Sequence, residues 1–161
     1  MTFSYISYYY KPKLPKRLIL KGQLSEKRAK TMLKSKMDIK RGKTKKIYFK
    51  NFTLVGRADF ISDDCVIEVK SSFNNKFLIP SLAQLNLYML MEEKDKGLLI
   101  MGEKEILVEK SNFVIRQSLA YFEQLAKHIL EFKIPEGDTE FCGNCCFTKI
   151  CFNVNKDQAH L

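Results

Sequence analysis

Hydrophobic and polar positions follow two different periods along the chain, and together they predict a mixed order of helices and strands. Apolar residues three to four positions apart predict three helices, over 22–37, 80–93 and 112–132. Runs of β-branched and aromatic residues predict five strands, over 47–49, 54–56, 65–70, 97–101 and 105–109. The first three strands are expected to form a meander and the last two a hairpin around Gly102. This order predicts an α/β domain with a mixed sheet flanked by helices.

The length and composition indicate a single domain over residues 1–161 that is able to bury a core. The chain has 161 residues, 45% of them hydrophobic, which is sufficient for one core. No apolar run reaches the roughly 18 residues that cross a bilayer, and residues 1–6 lack the basic start of a signal peptide. We therefore expect a soluble protein in the cytoplasm, without membrane association.

The positive charge is concentrated near the amino terminus. Residues 11–50 hold 16 of the 28 Lys and Arg, but only two of the 18 acids, Glu26 and Asp38. Clustered bases release counterions from phosphates, so a basic helical region over residues 1–45 suits a nucleic acid. The simpler alternative is a lysine-rich, solvated helix. The candidate DNA-binding residues are Lys16, Arg17, Lys27 and Arg28.

Two acids and a lysine form the candidate reactive site. Asp59 lies in the extended segment 55–61, and Glu68 and Lys70 are two apart in the next strand, so the latter pair shares one face of that strand. Pairing of the two segments would bring Asp59 to the same face. An ordinary surface ion pair is the alternative, but charges placed within an apolar run are costly without a function. Two carboxylates beside an ammonium predict a divalent-metal site suited to phosphodiester cleavage.

The second predicted helix carries two further polar candidates. Gln84 and Tyr88 are four residues apart and therefore share one helix face. Leu85 and Met89 occupy the neighbouring face, which leaves Gln84 and Tyr88 free to face the edge of the sheet. The alternative is that Tyr88 belongs to the core and Gln84 to the solvent.

Cysteines near the carboxyl terminus indicate a metal or cluster site. Four of the five cysteines lie between positions 142 and 151 in the tail 138–161. An iron–sulfur cluster needs four thiolates as a rule, and Cys142, Cys145 and Cys151 supply three, with Cys146 as an atypical fourth. Zinc is the alternative, with Cys146 or His160 completing a tetrahedron. The fifth cysteine, Cys65, is expected to be a buried small hydrophobe.

In this order the motifs resemble the RecB-like branch of the PD-(D/E)XK nucleases, and most closely the CRISPR-associated exonucleases with a cysteine cluster. The resemblance spans roughly residues 5–151. Its motifs are Gly-x-x-Asp at Gly56–Asp59, acid-x-Lys at Glu68–Lys70, Gln-x-x-x-Tyr at Gln84–Tyr88 and Cys-x2-Cys-x5-Cys from Cys142 to Cys151. The resemblance implies the restriction-endonuclease-like fold and a DNA exonuclease that acts on single-stranded ends, in CRISPR spacer acquisition and prespacer processing or in a viral relative of it.

The resemblance also implies roles for the site residues. Mg²⁺ or Mn²⁺ would be held by Asp59, Glu68 and the backbone carbonyl of Val69. Lys70 would orient the attacking water and stabilise charge on the phosphorus, while Gln84 and Tyr88 would position water and the nucleic-acid backbone. Single-stranded DNA is the expected partner, and CRISPR integration proteins or a second copy of the chain are compatible with the family.

Two positions depart from the family pattern. Leu14 stands where family members usually have a first cluster cysteine, and Ser25 stands where a metal-binding histidine usually precedes Glu26. Glu26 is therefore the candidate outer ligand in place of that histidine. These departures leave an alternative open, namely a catalytically weak or inactive nucleic-acid-binding subunit with the same fold.

Overall fold

A computed structural model describes residues 15–133, which form three helices and seven strands. The helices are α1 (Lys16–Lys34), α2 (Asn75–Glu92) and α3 (Asn112–Leu130). The strands are β1 (Lys40–Arg41), β2 (Lys45–Tyr48), β3 (Thr53–Gly56), β4 (Phe60–Ile61), β5 (Cys65–Lys70), β6 (Lys96–Met101) and β7 (Lys104–Glu109).

The strands form a mixed five-stranded sheet and a separate antiparallel hairpin. The order in the larger sheet is β1-β4-β5-β6-β7, with β5 and β6 parallel and the other neighbours antiparallel. Among the described residues, strands β2 and β3 pair with each other and with no further strand. The predicted meander of β2, β3 and β5 is therefore wrong. Extended structure breaks between Gly56 and Phe60, and the two-residue strand β4 takes the place beside β5.

The core lies on both faces of β5 and β6. Ala29 and Leu33 of α1 belong to the same buried cluster as Ile67 on one face. Leu85 and Met89 of α2 belong to the same buried cluster as Val66 on the other. Consecutive residues of one strand point to opposite faces, so the continuous apolar run of β5 is explained by a helix covering each face. The α/β class with a mixed sheet flanked by helices is confirmed.

Two helices begin earlier than the apolar pattern predicts. Helix α1 starts at Lys16, directly after Pro15. The apolar pattern does not predict these first turns, because the buried residues of the helix, Ala29 and Leu33, lie in its second half. Helix α2 starts at Asn75, since the Asn74 side chain accepts a hydrogen bond from the backbone N–H of Lys76, and Pro80 is accommodated inside the helix. No helix within residues 15–133 is long and apolar enough to cross a membrane.

The chain divides into two compact units at a point inside α3. One unit is 15–119 and contains both sheets with α1 and α2, and the other begins at Ala120. Helix α3 starts at Asn112, as predicted. The Ser111 hydroxyl accepts a hydrogen bond from the N–H of Val114, which caps the first turn. In the second unit His128 Nδ1 lies 3.2 Å from the carbonyl oxygen of Lys133, which gives this histidine a local partner. A single domain over 1–161 stays a prediction.

Candidate metal and nucleic-acid site

Glu68 and Lys70 lie side by side on β5, on the face covered by α2. Nζ of Lys70 donates a hydrogen bond of 2.6 Å to Oε1 of Glu68. Glu68 is only 3% exposed, whereas Lys70 is half-buried. The alternation of side chains along the strand predicts this shared face, and the structure confirms it.

Asp59 joins this pair from the connection that leads into β4. The prediction that Asp59 belongs to a continuous extended segment is wrong, because β3 ends at Gly56 and β4 begins at Phe60. Its carboxylate is fixed instead by a backbone contact, since Oδ2 accepts a hydrogen bond of 2.8 Å from the N–H of Val69. The predicted approach of Asp59 to β5 is thus confirmed, by a different local route.

The backbone of Val69 faces the same side of β5 as Asp59. The carbonyl of Lys70 accepts from the N–H of Gly102, at the end of β6. Backbone groups of successive strand residues point to opposite sides, so Val69 presents both its N–H and its carbonyl toward the side of β4 and Asp59. The predicted ligand oxygen of Val69 therefore lies on the edge of β5 that Asp59 occupies.

A hydrogen-bond chain connects Lys70 to the helix α2. Nζ of Lys70 donates to Oε1 of Gln84 at 2.7 Å, and Nε2 of Gln84 donates to the Tyr88 hydroxyl at 2.8 Å. An ammonium can only donate, so the Gln84 amide must present its oxygen to Lys70 and its nitrogen to Tyr88. The prediction that Gln84 and Tyr88 face the sheet together is confirmed, and the alternative of a solvated Gln84 is wrong.

Two glycines allow the close packing of this site, and neither role follows from the sequence motif. A Cβ on Gly56 would lie 2.7 Å from Cε1 of the Tyr88 ring and 3.0 Å from Sδ of Met91. A Cβ on Gly42 would lie 2.3 Å from the carbonyl oxygen of Ala58, the residue before Asp59. Both contacts are between distant parts of the chain, so the local sequence does not predict them.

Glu26 approaches the acids from α1 and is held by an arginine. Nη2 of Arg41 lies 3.1 Å from Oε2 of Glu26. The Glu26 charge contributes to raising the pKa of both Asp59 and Glu68, so it lies within electrostatic reach of the two carboxylates. Arg41 is a site residue that the sequence did not reveal, because Arg41–Gly42 matches an ordinary turn.

Burial dominates the electrostatics of the acids. Desolvation, followed by the Asp59 charge, raises the pKa of Glu68 to about 7, although Lys70 acts in the opposite direction. Desolvation also raises the pKa of Asp59, partly offset by the Val69 N–H. Desolvation likewise raises the pKa of the Tyr88 hydroxyl. Burial therefore disfavours the charged forms of both acids.

The donor set fits a hard divalent cation. Oε2 of Glu68 is buried and has no hydrogen-bond partner among residues 15–133. This oxygen, the Asp59 carboxylate and the Val69 carbonyl are oxygen donors of the kind that Mg²⁺ and Mn²⁺ prefer. Within residues 15–133 no group of three or more His, Cys, Asp or Glu is placed to hold a metal. Glu26, which binds Arg41, is accordingly not part of such a group.

The predicted DNA-binding residues are distributed along α1. Lys16, Arg17, Lys27 and Arg28 are all exposed. Arg28 and Ser25 line one cleft with Val69 and Lys70, whereas Lys16 and Arg17 do not line it. The Ser25 hydroxyl donates to the carbonyl of Lys21 at 3.0 Å. Of the predicted phosphate-binding residues named here, Arg28 therefore lines the same cleft as Lys70.

The tail predictions lie outside the described residues. They concern Cys142, Cys145, Cys146, Cys151 and His160, together with Leu14 near the amino terminus. The iron–sulfur cluster and the zinc alternative stay predictions. Cys65 is buried in β5, as expected, and its Sγ lies 3.3 Å from the Ser62 hydroxyl.

Comparison with known proteins identifies similarity in structure only. No family model matches the chain, and no curated protein matches it. Six chains of solved structures match. One of them, entitled "Crystal structure of SSO0001", has a TM-score of 0.60 at 22% identity, over 86% of this chain and 71% of that chain. At this identity the likeness establishes a shared α/β fold.

Proposed function

We propose that this protein is a metal-dependent DNA exonuclease with a RecB-type PD-(D/E)XK core, acting on single-stranded ends. The observation that carries the proposal is the buried Glu68 carboxylate, which has one oxygen on Lys70 and the other without a partner in the part of the chain that the structure describes. A buried, incompletely paired carboxylate destabilises the metal-free protein, since its charge has lost its hydration. A bound metal ion would interact with the second carboxylate oxygen and so remove this destabilisation.

The residues divide the work of phosphodiester hydrolysis. Asp59, Glu68 and the Val69 carbonyl hold Mg²⁺ or Mn²⁺, which when bound polarises a phosphate oxygen and acidifies water. Lys70, held by Glu68 and Gln84, places a positive charge where negative charge builds up on the phosphate. Gln84 fixes the direction of the ammonium, and Tyr88 fixes Gln84 in turn.

The cellular setting follows from the family resemblance. We propose a cytoplasmic enzyme of CRISPR spacer acquisition and prespacer processing, or a viral relative of it, with CRISPR integration proteins or a second copy of the chain as partners. In the tail, Cys142, Cys145 and Cys151, with Cys146, hold an iron–sulfur cluster or zinc. An absorbance band near 400 nm after anaerobic purification supports the cluster, whereas a colourless protein that releases zinc supports zinc.

The deciding experiment is degradation of end-labelled single-stranded DNA in Mn²⁺. Wild type should shorten a linear oligonucleotide and leave a circular single strand intact, whereas Asp59→Ala should leave both substrates intact. Asp95→Ala is the matched control, because Asp95 is an exposed acid paired with Lys110, and it should retain full activity. Equal rates for wild type and Asp59→Ala contradict the proposed site, and cleavage of the circle contradicts an exonuclease.

A catalytically weak nucleic-acid-binding subunit is the second candidate. It is favoured by Ser25, whose hydroxyl binds the Lys21 carbonyl at the position where the family has its metal-binding histidine. Under this alternative the protein binds single-stranded DNA with the same affinity in Mn²⁺ and in EDTA, and no Mn²⁺ concentration yields cleavage. Mn²⁺-dependent cleavage that Asp59→Ala abolishes excludes it.

A further inference from the structure

The outer face of the β2–β3 hairpin carries an exposed aromatic ring among basic side chains. Residues directly opposite in an antiparallel pair share one face, and Lys46 lies opposite Val55 while Tyr48 lies opposite Thr53. Tyr48 is 75% exposed. Lys50, in the turn between β2 and β3, and Arg57, directly after β3, are also exposed. We call the surface of Lys46, Tyr48, Lys50, Val55 and Arg57 the hairpin platform.

All charged side chains in and beside the β2–β3 hairpin are positive. Residues 43–58 contain five Lys or Arg and no Asp or Glu. The inner-face base, Lys45, is neutralised, since its Nζ lies 2.9 Å from Oε2 of Glu92 and also donates to the Met91 carbonyl. Within residues 15–133 no acid forms an ion pair with Lys46, Lys50 or Arg57. The platform therefore complements a polyanion.

The inner face gives the hairpin fixed contacts with the rest of this unit. The Lys45 contacts join it to α2, and Gly56 packs against the Tyr88 ring. At the tip the rings of Phe49 and Phe52 stack with centroids 4.6 Å apart. These contacts hold the hairpin backbone, so only the side chain of the exposed Tyr48 loses conformational freedom when a planar ligand stacks on it.

We propose that the hairpin platform binds single-stranded DNA, with a base stacked on Tyr48 and phosphates on Lys46 and Arg57. The inference rests on the proposed exonuclease function and adds a second contact point for the same strand. Bases of single strands present free faces for stacking on aromatic side chains, and every base can do so. In a duplex these faces are covered, so the platform selects unpaired DNA.

The spacing between the platform and the acids fits a short stretch of DNA. Thr53, opposite Tyr48, precedes Asp59 by six residues, which extended chain spans in at most about 20 Å. Even at the close spacing of stacked bases, about 3.4 Å per nucleotide, this upper limit corresponds to no more than roughly six nucleotides. Single-strand binding sites typically cover about 4–16 nucleotides. A strand whose end lies at Asp59 can therefore place an upstream base on Tyr48.

The test measures binding of full-length protein to fluorescein-labelled dT20 in EDTA, where cleavage is absent. Tyr48→Ala should raise Kd about 5- to 100-fold, and Tyr48→Phe, which keeps the ring, should remain within about twofold of wild type. Leu107→Ala is the matched control, because Leu107 is an equally exposed apolar residue (83%) on a strand outside the hairpin. It should bind like wild type.

The phosphate contacts have a separate readout in the salt dependence. Arg57→Gln and Lys46→Gln should each reduce the slope of log K against log salt by about 0.7, the value for one phosphate of a single strand. Lys127→Gln, an exposed lysine paired with Glu131, should leave the slope unchanged. A protein-binding surface would not shift the slope for DNA.

The outcomes separate this inference from the proposed function. If Tyr48→Ala binds dT20 like wild type while Mn²⁺-dependent cleavage is retained, the platform is refuted and the exonuclease stands. If binding depends on Tyr48 but wild type never cleaves, the platform stands and the exonuclease is refuted. If wild type does not bind dT20, the platform is refuted, whatever the result for cleavage.

Discussion

Lys70 donates to one carboxylate oxygen of Glu68 at 2.6 Å, and the other oxygen of the same carboxylate is buried and finds no partner between residues 15 and 133. The lysine lowers the pKa of Glu68, yet burial and the Asp59 charge outweigh it and leave that pKa at about 7. One ammonium is thus insufficient for two acids in this environment. At neutral pH a proton or a further cation therefore stabilises the Glu68 carboxylate.

This imbalance predicts how the stability of the metal-free protein depends on pH. Glu68 takes up its proton near pH 7 when folded and near pH 4.5 when unfolded, so between these values the folded state binds more protons. Its contribution to the free energy of unfolding should therefore fall as pH rises from 4.5 to above 7, by up to about 3 kcal/mol. Urea unfolding in EDTA at pH 5 and pH 8 measures the change.

The matched variants for this prediction are Glu68→Gln and Glu131→Gln. Glu68→Gln removes the titrating group, so it should flatten the decline and be more stable than wild type at pH 8. The pKa of Glu131 is lowered by Lys133, which means that Glu131→Gln should not reduce the decline. An unchanged pH dependence in Glu68→Gln contradicts the assigned cause.

Metal affinity should depend on the same proton. The carboxylate must be ionised to hold a cation, and Glu68 ionises at about pH 7. The affinity for Mn²⁺ should therefore rise about tenfold per pH unit below 7 and level off above it. Calorimetry from pH 5.5 to 8.5 measures this, and Glu68→Gln should bind weakly at every pH. A wild-type affinity that does not change with pH would show that Glu68 is not a ligand.

Replacement of Lys70 should separate cleavage from binding. Lys70→Ala removes the charge beside the reacting phosphate, so the cleavage rate should fall about 10²- to 10³-fold, while the Kd for dT20 in EDTA changes less than about threefold. Because Lys70 lowers the pKa of Glu68, its removal should also move the pH dependence of Mn²⁺ binding to higher pH. Lys110→Ala, which removes a lysine bound to Asp95, is the control. Undiminished cleavage by Lys70→Ala would remove the lysine from the mechanism.

The sequence predicts elements well where one local signal decides them. Strand β5 has the predicted bounds Cys65–Lys70 because its apolar run is continuous and buried by helices on both faces. Strand β1 is not predicted, since two residues are too few to show a period. The predicted extended segment 55–61 pairs with β5 only through Phe60 and Ile61. The meander is wrong because β3 ends at Gly56 and does not continue to this pairing.

The candidate site shows the same division between local and nonlocal information. The spacing of Glu68 and Lys70, and of Gln84 and Tyr88, sets the shared faces correctly, because helix and strand periods fix them. The backbone bond that holds Asp59 and the contact of Arg41 with Glu26 required the fold. So did the burial that raises the pKa of Glu68, since burial depends on every neighbouring element.

The close approach of Gly56 to Tyr88 gives the last prediction. A methyl group on Gly56 would lie 2.7 Å from Cε1 of the Tyr88 ring. Gly56→Ala should therefore destabilise the protein by about 1–3 kcal/mol in urea unfolding. It should also reduce cleavage by displacing Tyr88 from Gln84. In a Tyr88→Ala background the same substitution should cost less than half as much, because the ring is gone and Met91 can adjust. Gly22→Ala is the control: nothing lies within 4 Å of its Cβ position on α1, so the added methyl should stabilise the helix by up to about 1 kcal/mol. Equal costs of Gly56→Ala with and without the Tyr88 ring would show that the glycine serves the hairpin backbone and not the placement of Tyr88.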